Sequence, residues 1–109
     1  MVTLVLDPVF GINKEQLQSE LSGLNIDCRP CFYPLSSLPA YATHPMAERA
    51  RERNRISYEL SPLAINLPSG LNMTREKVEY VCTSVKKILL RQRRDSNQRC
   101  IVDVLAANE

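Results

Sequence analysis

The 109-residue sequence predicts an α+β fold, on three observations. Val2, Leu4 and Leu6 alternate with Thr3, Val5 and Asp7, the twofold period of a strand with one buried face. Leu17, Leu21 and Leu24 recur at helical spacing, as do Val78, Val81, Cys82, Val85, Ile88 and Leu89. Ile26 to Tyr33 and Leu63 to Leu67 are short runs favouring extended backbone, each closed by a proline. A chain of this length makes one domain and buries roughly two-thirds of the surface it exposes when unfolded.

The first strand stops at Asp7-Pro8. Asn13 caps a helix, with Gln16 three residues on able to reach back to the cap amide, and the helix runs from Lys14 to about Leu24. Gly23 and Asn25 close it, and the second strand follows as far as Pro34. Pro34 to Pro45 carries Pro39, Ser36 and Ser37 as well, too much turn chemistry for a regular element, and reads as a structured loop. Pro45 suits a first helical turn, so Met46 to Leu60 is expected as a helix at the surface, its first half being nearly all polar. After the third strand and Pro68-Ser69-Gly70, Thr74 caps the best helix in the chain, with Glu76 near its positive end and its apolar stripe in the core. Residues 1–94 form the domain. In the tail, 95–109, a polar break precedes Ile101 to Leu105, expected as an edge strand or a disordered end.

Composition excludes several functions. No apolar run approaches the roughly 18 residues that cross a bilayer, and the opening residues lack a secretory pattern, so a cytoplasmic, reducing compartment with unpaired cysteines is expected. A net charge of +2 is too mild to imply nucleic acid. Lys86, Lys87, Arg91, Arg93 and Arg94 crowd one segment without interleaved aromatics for base stacking. They read as a helix end whose cations complement the dipole.

The candidate chemical motifs fail on their own terms. Cys28-Arg29-Pro30-Cys31 has the spacing of a redox dithiol or half a zinc site, but Phe32-Tyr33-Pro34 continue extended, with no helix N-terminus to activate a thiol. The remaining candidate zinc ligands, His44, Cys82 and Cys100, have no paired spacing, so no metal is expected. His44, the only histidine, reads as a loop or capping residue. Lys14, Lys77, Lys86 and Lys87 are expected on exposed helix faces, where nothing desolvates an amine for Schiff-base chemistry. The three glycines, at 11, 23 and 70, make no phosphate loop, and no catalytic residue is assigned.

Two segments carry a resemblance. Asn25-Ile26-Asp27-Cys28-Arg29-Pro30-Cys31-Phe32-Tyr33-Pro34-Leu35-Ser36-Ser37-Leu38-Pro39-Ala40-Tyr41 resembles a stretch of the DegT/StrS aminotransferases, in which Arg-Pro, Tyr-Pro-Leu and Pro-x-Tyr recur. Ile65-Asn66-Leu67-Pro68-Ser69-Gly70-Leu71-Asn72-Met73-Thr74, with the helix containing Tyr80-Val81-Cys82, resembles that family's closing pattern. Ser36 stands where many members have histidine, and Cys28 replaces a more usual threonine. The resemblance spans about Val2 to Leu90. It implies the small C-terminal domain of a pyridoxal-phosphate enzyme: two layers, with a short, mostly antiparallel three-stranded sheet backed by helices.

By the same resemblance, the lysine that holds the cofactor lies in a large domain, which would be this chain's partner within a homo-oligomer. The implied function is transfer of an amino group from glutamate to a keto sugar nucleotide, with no cofactor bound by this chain alone. Arg29, Tyr33, Ser36, Ser37 and Tyr41 are the implied substrate-binding residues, Arg29 as a bidentate grip for a carboxylate or phosphate. The rival reading is a stand-alone α+β binding or interaction module without catalysis.

Overall fold

The structure, a computed structural model, describes the backbone of residues 1–107 and the side chains of residues 1–97. Its three strands, β1 (Val2–Val5), β2 (Arg29–Pro30) and β3 (Ala64–Leu67), form one sheet in the order β1-β3-β2. Both outer strands run antiparallel to β3, with Val2 opposite Leu67 and Arg29 opposite Asn66. The outer strands are therefore parallel to each other, and helix α1 (Lys14–Gly23) makes the crossover between them. β3 is central and buried along Ala64, Ile65 and Asn66. The Asn66 amide is satisfied across the sheet, its Oδ1 accepting from Thr3 Oγ1 at 2.8 Å.

The expected two-layer α+β architecture is present. Leu17 and Leu21 of α1, Ile65 of β3, and Val81, Val85 and Ile88 of α5 (Arg75–Ala107) share one buried cluster with Leu6, Ile26 and Cys28. Asn13 makes the full capping box: its Oδ1 accepts from Gln16 N–H at 2.8 Å, and its own N–H donates to Gln16 Oε1 at 3.1 Å. Three short helices, α2 (Pro39–Ala42), α3 (Ala47–Arg53) and α4 (Arg55–Leu60), cover the segment between β2 and β3.

Several local expectations are corrected. Val2 is 53% exposed, because it ends an edge strand and faces Val78 and Cys82 across a shallow cavity of about 180 Å³. The run from Ile26 to Tyr33 pairs only over Arg29–Pro30, Pro30 having no N–H to donate. The helix expected over Met46 to Leu60 divides at Asn54, whose φ of −100° and ψ of 38° leave the helical region. In α5 the buried stripe is Val81, Ser84, Val85 and Ile88, whereas Val78 and Cys82 are exposed. The apolar arc of α5 is thus wider than the face that α1 and the sheet cover.

Through residue 107 the tail is helical, since α5 continues to Ala107. Asp95-Ser96-Asn97-Gln98 is polar but holds no glycine or proline, and extending an existing helix needs only one residue fixed per added bond. The basic residues from Lys86 to Arg94 consequently lie within the helix rather than at its end, so the dipole does not account for them. Arg91 pairs with Glu20 of α1, and Gln92 Nε2 donates to the same carboxylate at 3.2 Å. Gly11 adopts a left-handed φ of 63°, and a Cβ there would fall 2.3 Å from Ser96 Oγ.

Candidate functional site

The segment from Arg29 to Met46 leaves the sheet at β2, turns at Leu35–Ser37 and passes through α2 to reach α3. Its prolines account for this path: Pro34 precedes the turn, whose Ser37 N–H closes onto Pro34 O at 2.9 Å, and Pro39 opens α2. Between the returning loop and the α3–α4 corner lies a cavity of about 680 Å³. Ser36 and Tyr41 of the five implied binding residues line it, together with His44, Asn54 and Ser57.

The other three point elsewhere. Arg29 is exposed and pairs with Asp27 at 3.2 Å, in a contact that surface screening makes weak. Tyr33 presents its ring to Lys14, whose Nζ stands 4.7 Å from the ring centroid. Ser37 Oγ donates to Pro34 O at 2.6 Å and so holds the turn. Ser36 itself is partly engaged, its Oγ lying 2.7 Å from Tyr58 Oη. Three of the five hydroxyl or guanidinium groups thus serve the loop or the surface, and two face a cavity.

Lys14 of α1 departs furthest from expectation. Expected on an exposed face, it is buried, with Nζ donating to Ser61 O at 3.3 Å. Ser61 Oγ in turn donates to Phe32 O at 3.1 Å, so the lysine, the serine and the β2 exit form one strut. Residue spacing places Lys14 at the first turn of α1, and nothing in the local sequence shows that the Ser61–Leu63 turn closes over it. His44 holds the loop just ahead of α3, its Nδ1 accepting the Met46 N–H at 3.1 Å, while α3 itself has no side-chain cap. Asn54 and Ser57 share a helical side with Ala47 and Ala50, and their place in the cavity depends on the loop that returns to meet them.

Cys28 and Cys31 flank the short β2. Cys28 is buried, and burial, then the neighbouring Asp27 charge, pushes its thiol pKa up. A raised pKa keeps the thiol protonated and unreactive, the opposite of a redox dithiol's requirement. Among the described residues, no three His, Cys, Asp or Glu side chains converge as a metal site. No helix among the described residues is long and apolar enough to cross a membrane.

Sheet order and cavity together define a small α+β domain that presents a loop-walled pocket with no lysine or carboxylate in its lining. Residues 1–86 match the DegT/DnrJ/EryC1/StrS aminotransferase family, and the chain belongs to that family. It is 33% identical over 78 residues to GDP-perosamine synthase of Escherichia coli O157:H7, covering 68% of this chain and 19% of that enzyme. It is 31% identical over 86 residues to GDP-perosamine synthase of Vibrio cholerae, covering 79% of this chain and 22% of that enzyme. The chain therefore spans about a fifth of the length of these relatives. No solved structure matches it.

Pyridoxal phosphate, which the resemblance implies for the family, does not fit the cavity beside the loop. The cavity beside the loop has no amine, Lys14 Nζ is committed to Ser61 O under the Tyr33 ring, and exposed Lys77 donates to Asn72 O at 3.2 Å.

Proposed function

We propose that this chain is the C-terminal small domain of a pyridoxal-phosphate-dependent sugar-nucleotide aminotransferase. It contributes a substrate-facing loop to a cleft whose cofactor-holding lysine belongs to a separate large domain. The reaction is transfer of an amino group from glutamate to a keto sugar nucleotide. One observation carries the reading: the family match takes in 86 residues of a domain with its own sheet and core, yet the domain has no amine in the loop cavity. Chemistry and substrate positioning are then divided between two domains, and this chain supplies positioning. Arg29, 78% exposed at its side chain, exchanges its weak Asp27 partner for a carboxylate or phosphate in that cleft. Tyr33 and Tyr41, each about half exposed, supply ring surface and hydroxyls beside it.

The test is a chimera in which this chain replaces the matched segment of the Escherichia coli O157:H7 relative. We expect the chimera to aminate that enzyme's keto sugar nucleotide from glutamate, and this chain alone to show no turnover. A chimera that folds and binds cofactor but transfers no amino group overturns the proposal. The rival reading of a binding module draws on the same cavity, which is built wholly from this chain. Under it, ligand binding persists with no activity in any chimera.

A further inference from the structure

Helix α5 carries a basic stripe that neither the core nor the candidate cavity explains. At about 100° per residue, Lys86, Lys87, Leu90, Arg93 and Arg94 fall within one arc of about 120°, opposite the buried Val81, Ser84, Val85 and Ile88. All five are exposed. Because the helix runs on to Ala107, its C-terminal turn lies beyond these cations and its dipole does not hold them there. The match to the aminotransferase family ends at residue 86, which leaves Lys87, Leu90, Arg93 and Arg94 outside it.

The charge in this stripe is uncompensated. Arg91, on its flank, pairs with Glu20 of α1, whereas Lys86, Lys87, Arg93 and Arg94 have no carboxylate partner among the described residues. Lys87 with Arg91, and Arg91 with Arg94, are like charges at spacings that disfavour a helix. The acidic residues further along the same side are already engaged: Glu79 pairs with Arg75 at 3.0 Å, and Glu76 is hydrogen-bonded to Thr74. Asp95, the only acid between Lys86 and Asn97, turns about 140° away from the centre of the stripe.

The two basic pairs stand seven residues apart, or about 10 Å along the axis, with the half-exposed Leu90 midway. That is two helical turns, the repeat of a second helix bearing carboxylates at i and i+7 and an apolar residue between them. Nucleic acid fits the stripe less well. It has no aromatic side chain for base stacking, and Glu79 continues it toward the N-terminus, where a polyanion lying along the helix would meet a carboxylate. A single leucine is also too little apolar surface to enter a bilayer interface.

We infer that the outer face of α5 docks an acidic amphipathic helix of a partner protein. Paired carboxylates of that helix meet Lys86 and Lys87 at one end and Arg93 and Arg94 at the other, with an apolar side chain over Leu90. This face lies on a different element from the substrate-facing loop, so an inactive chimera leaves it standing.

The test is titration of the full chain with a synthetic helical peptide that carries glutamate pairs seven residues apart and a leucine midway between them, read by fluorescence anisotropy. Saturable binding is expected, weakening about tenfold in K86Q/K87Q/R93Q/R94Q, or about 1.4 kcal/mol spread over exposed ion pairs. R51Q/R53Q removes two cations from α3 instead and should change nothing. Leu90→Ser should weaken the leucine peptide and leave a peptide with serine at its midpoint unchanged, which separates docking from charge attraction alone. Charge reversal in K86E/K87E/R93E/R94E should abolish binding of the acidic peptide and confer binding of its lysine counterpart, a gain that an unfolded variant would not show. Three results overturn the inference: no saturable binding, equal binding of a peptide with the same residues in scrambled order, or tighter binding of single-stranded RNA or phosphatidylserine vesicles than of the peptide.

Discussion

Cys28 shows how one buried residue links the fold to pH. It belongs to the same core cluster as Leu21 and Val81, and its thiol pKa is raised by burial first and by the Asp27 charge second. A group with a raised folded pKa contributes stability below its unfolded value and loses it as pH climbs through the folded value. Stability should therefore decline as pH rises above the ordinary thiol value of 9.0, where the unfolded chain releases the proton more readily. Urea midpoints measured from pH 7 to 10 should fall in the wild type and flatten in Cys28→Val. An equal decline in both proteins would place the sensitive group elsewhere. At the same scale, Lys14 departs from the exposed position its spacing predicts because a lysine's exposure is set by what closes over it, here Ser61 of the Ser61–Leu63 turn, 47 positions away.

At the scale of elements, starts were legible, as was the close of α1 at Gly23, but the far end of α5 was not. The Asn13 capping box is a local pattern of two side chains three residues apart, and the structure contains both of its hydrogen bonds. Asn13→Ala removes the Oδ1 acceptor and should cost about 1 kcal/mol, lowering the thermal midpoint by about 4–8 °C for a domain of this size. Asn13→Asp should retain most of that stability, and a melt unchanged in Asn13→Ala would show that tertiary packing alone holds α1. The far end of α5 had no such pattern. Its polar stretch from Asp95 looked like a break, yet without glycine or proline the helix runs on to Ala107. The α3–α4 break at Asn54 has no such pattern either, since helix formers stand on both sides of it.

For the whole molecule, the question is which apolar groups form the core and which await a partner. Val85 is buried, whereas Phe32 is 74% and Leu35 71% exposed on the loop that carries the candidate site. The expected outcome is a clear split. Val85→Ser should cost about 2–4 kcal/mol, a large share of the few kcal/mol that hold a small domain together. Leu35→Ser should leave the urea midpoint within about 0.5 kcal/mol and reduce self-association seen by sedimentation. Comparable destabilisation by both substitutions would make the loop part of the core and remove the support for a missing partner surface.

The α+β class, the three strand positions, the start of each long helix and the family resemblance were all determined by sequence alone, because they rest on period, capping and motif within short windows. Tertiary structure decided the sheet order β1-β3-β2, which places the last strand between the first two and so buries Asn66 against Thr3. It also decided which side of the α5 arc is core, sinking Ser84 and exposing Cys82. The cavity followed the same rule: Ser36 and Tyr41 were nameable from the loop, but Asn54 and Ser57 join them only where the chain returns. The physical reason is common to all three. Periodicity and capping act between residues a few positions apart, whereas burial and cavity walls depend on segments that meet only when the chain closes on itself.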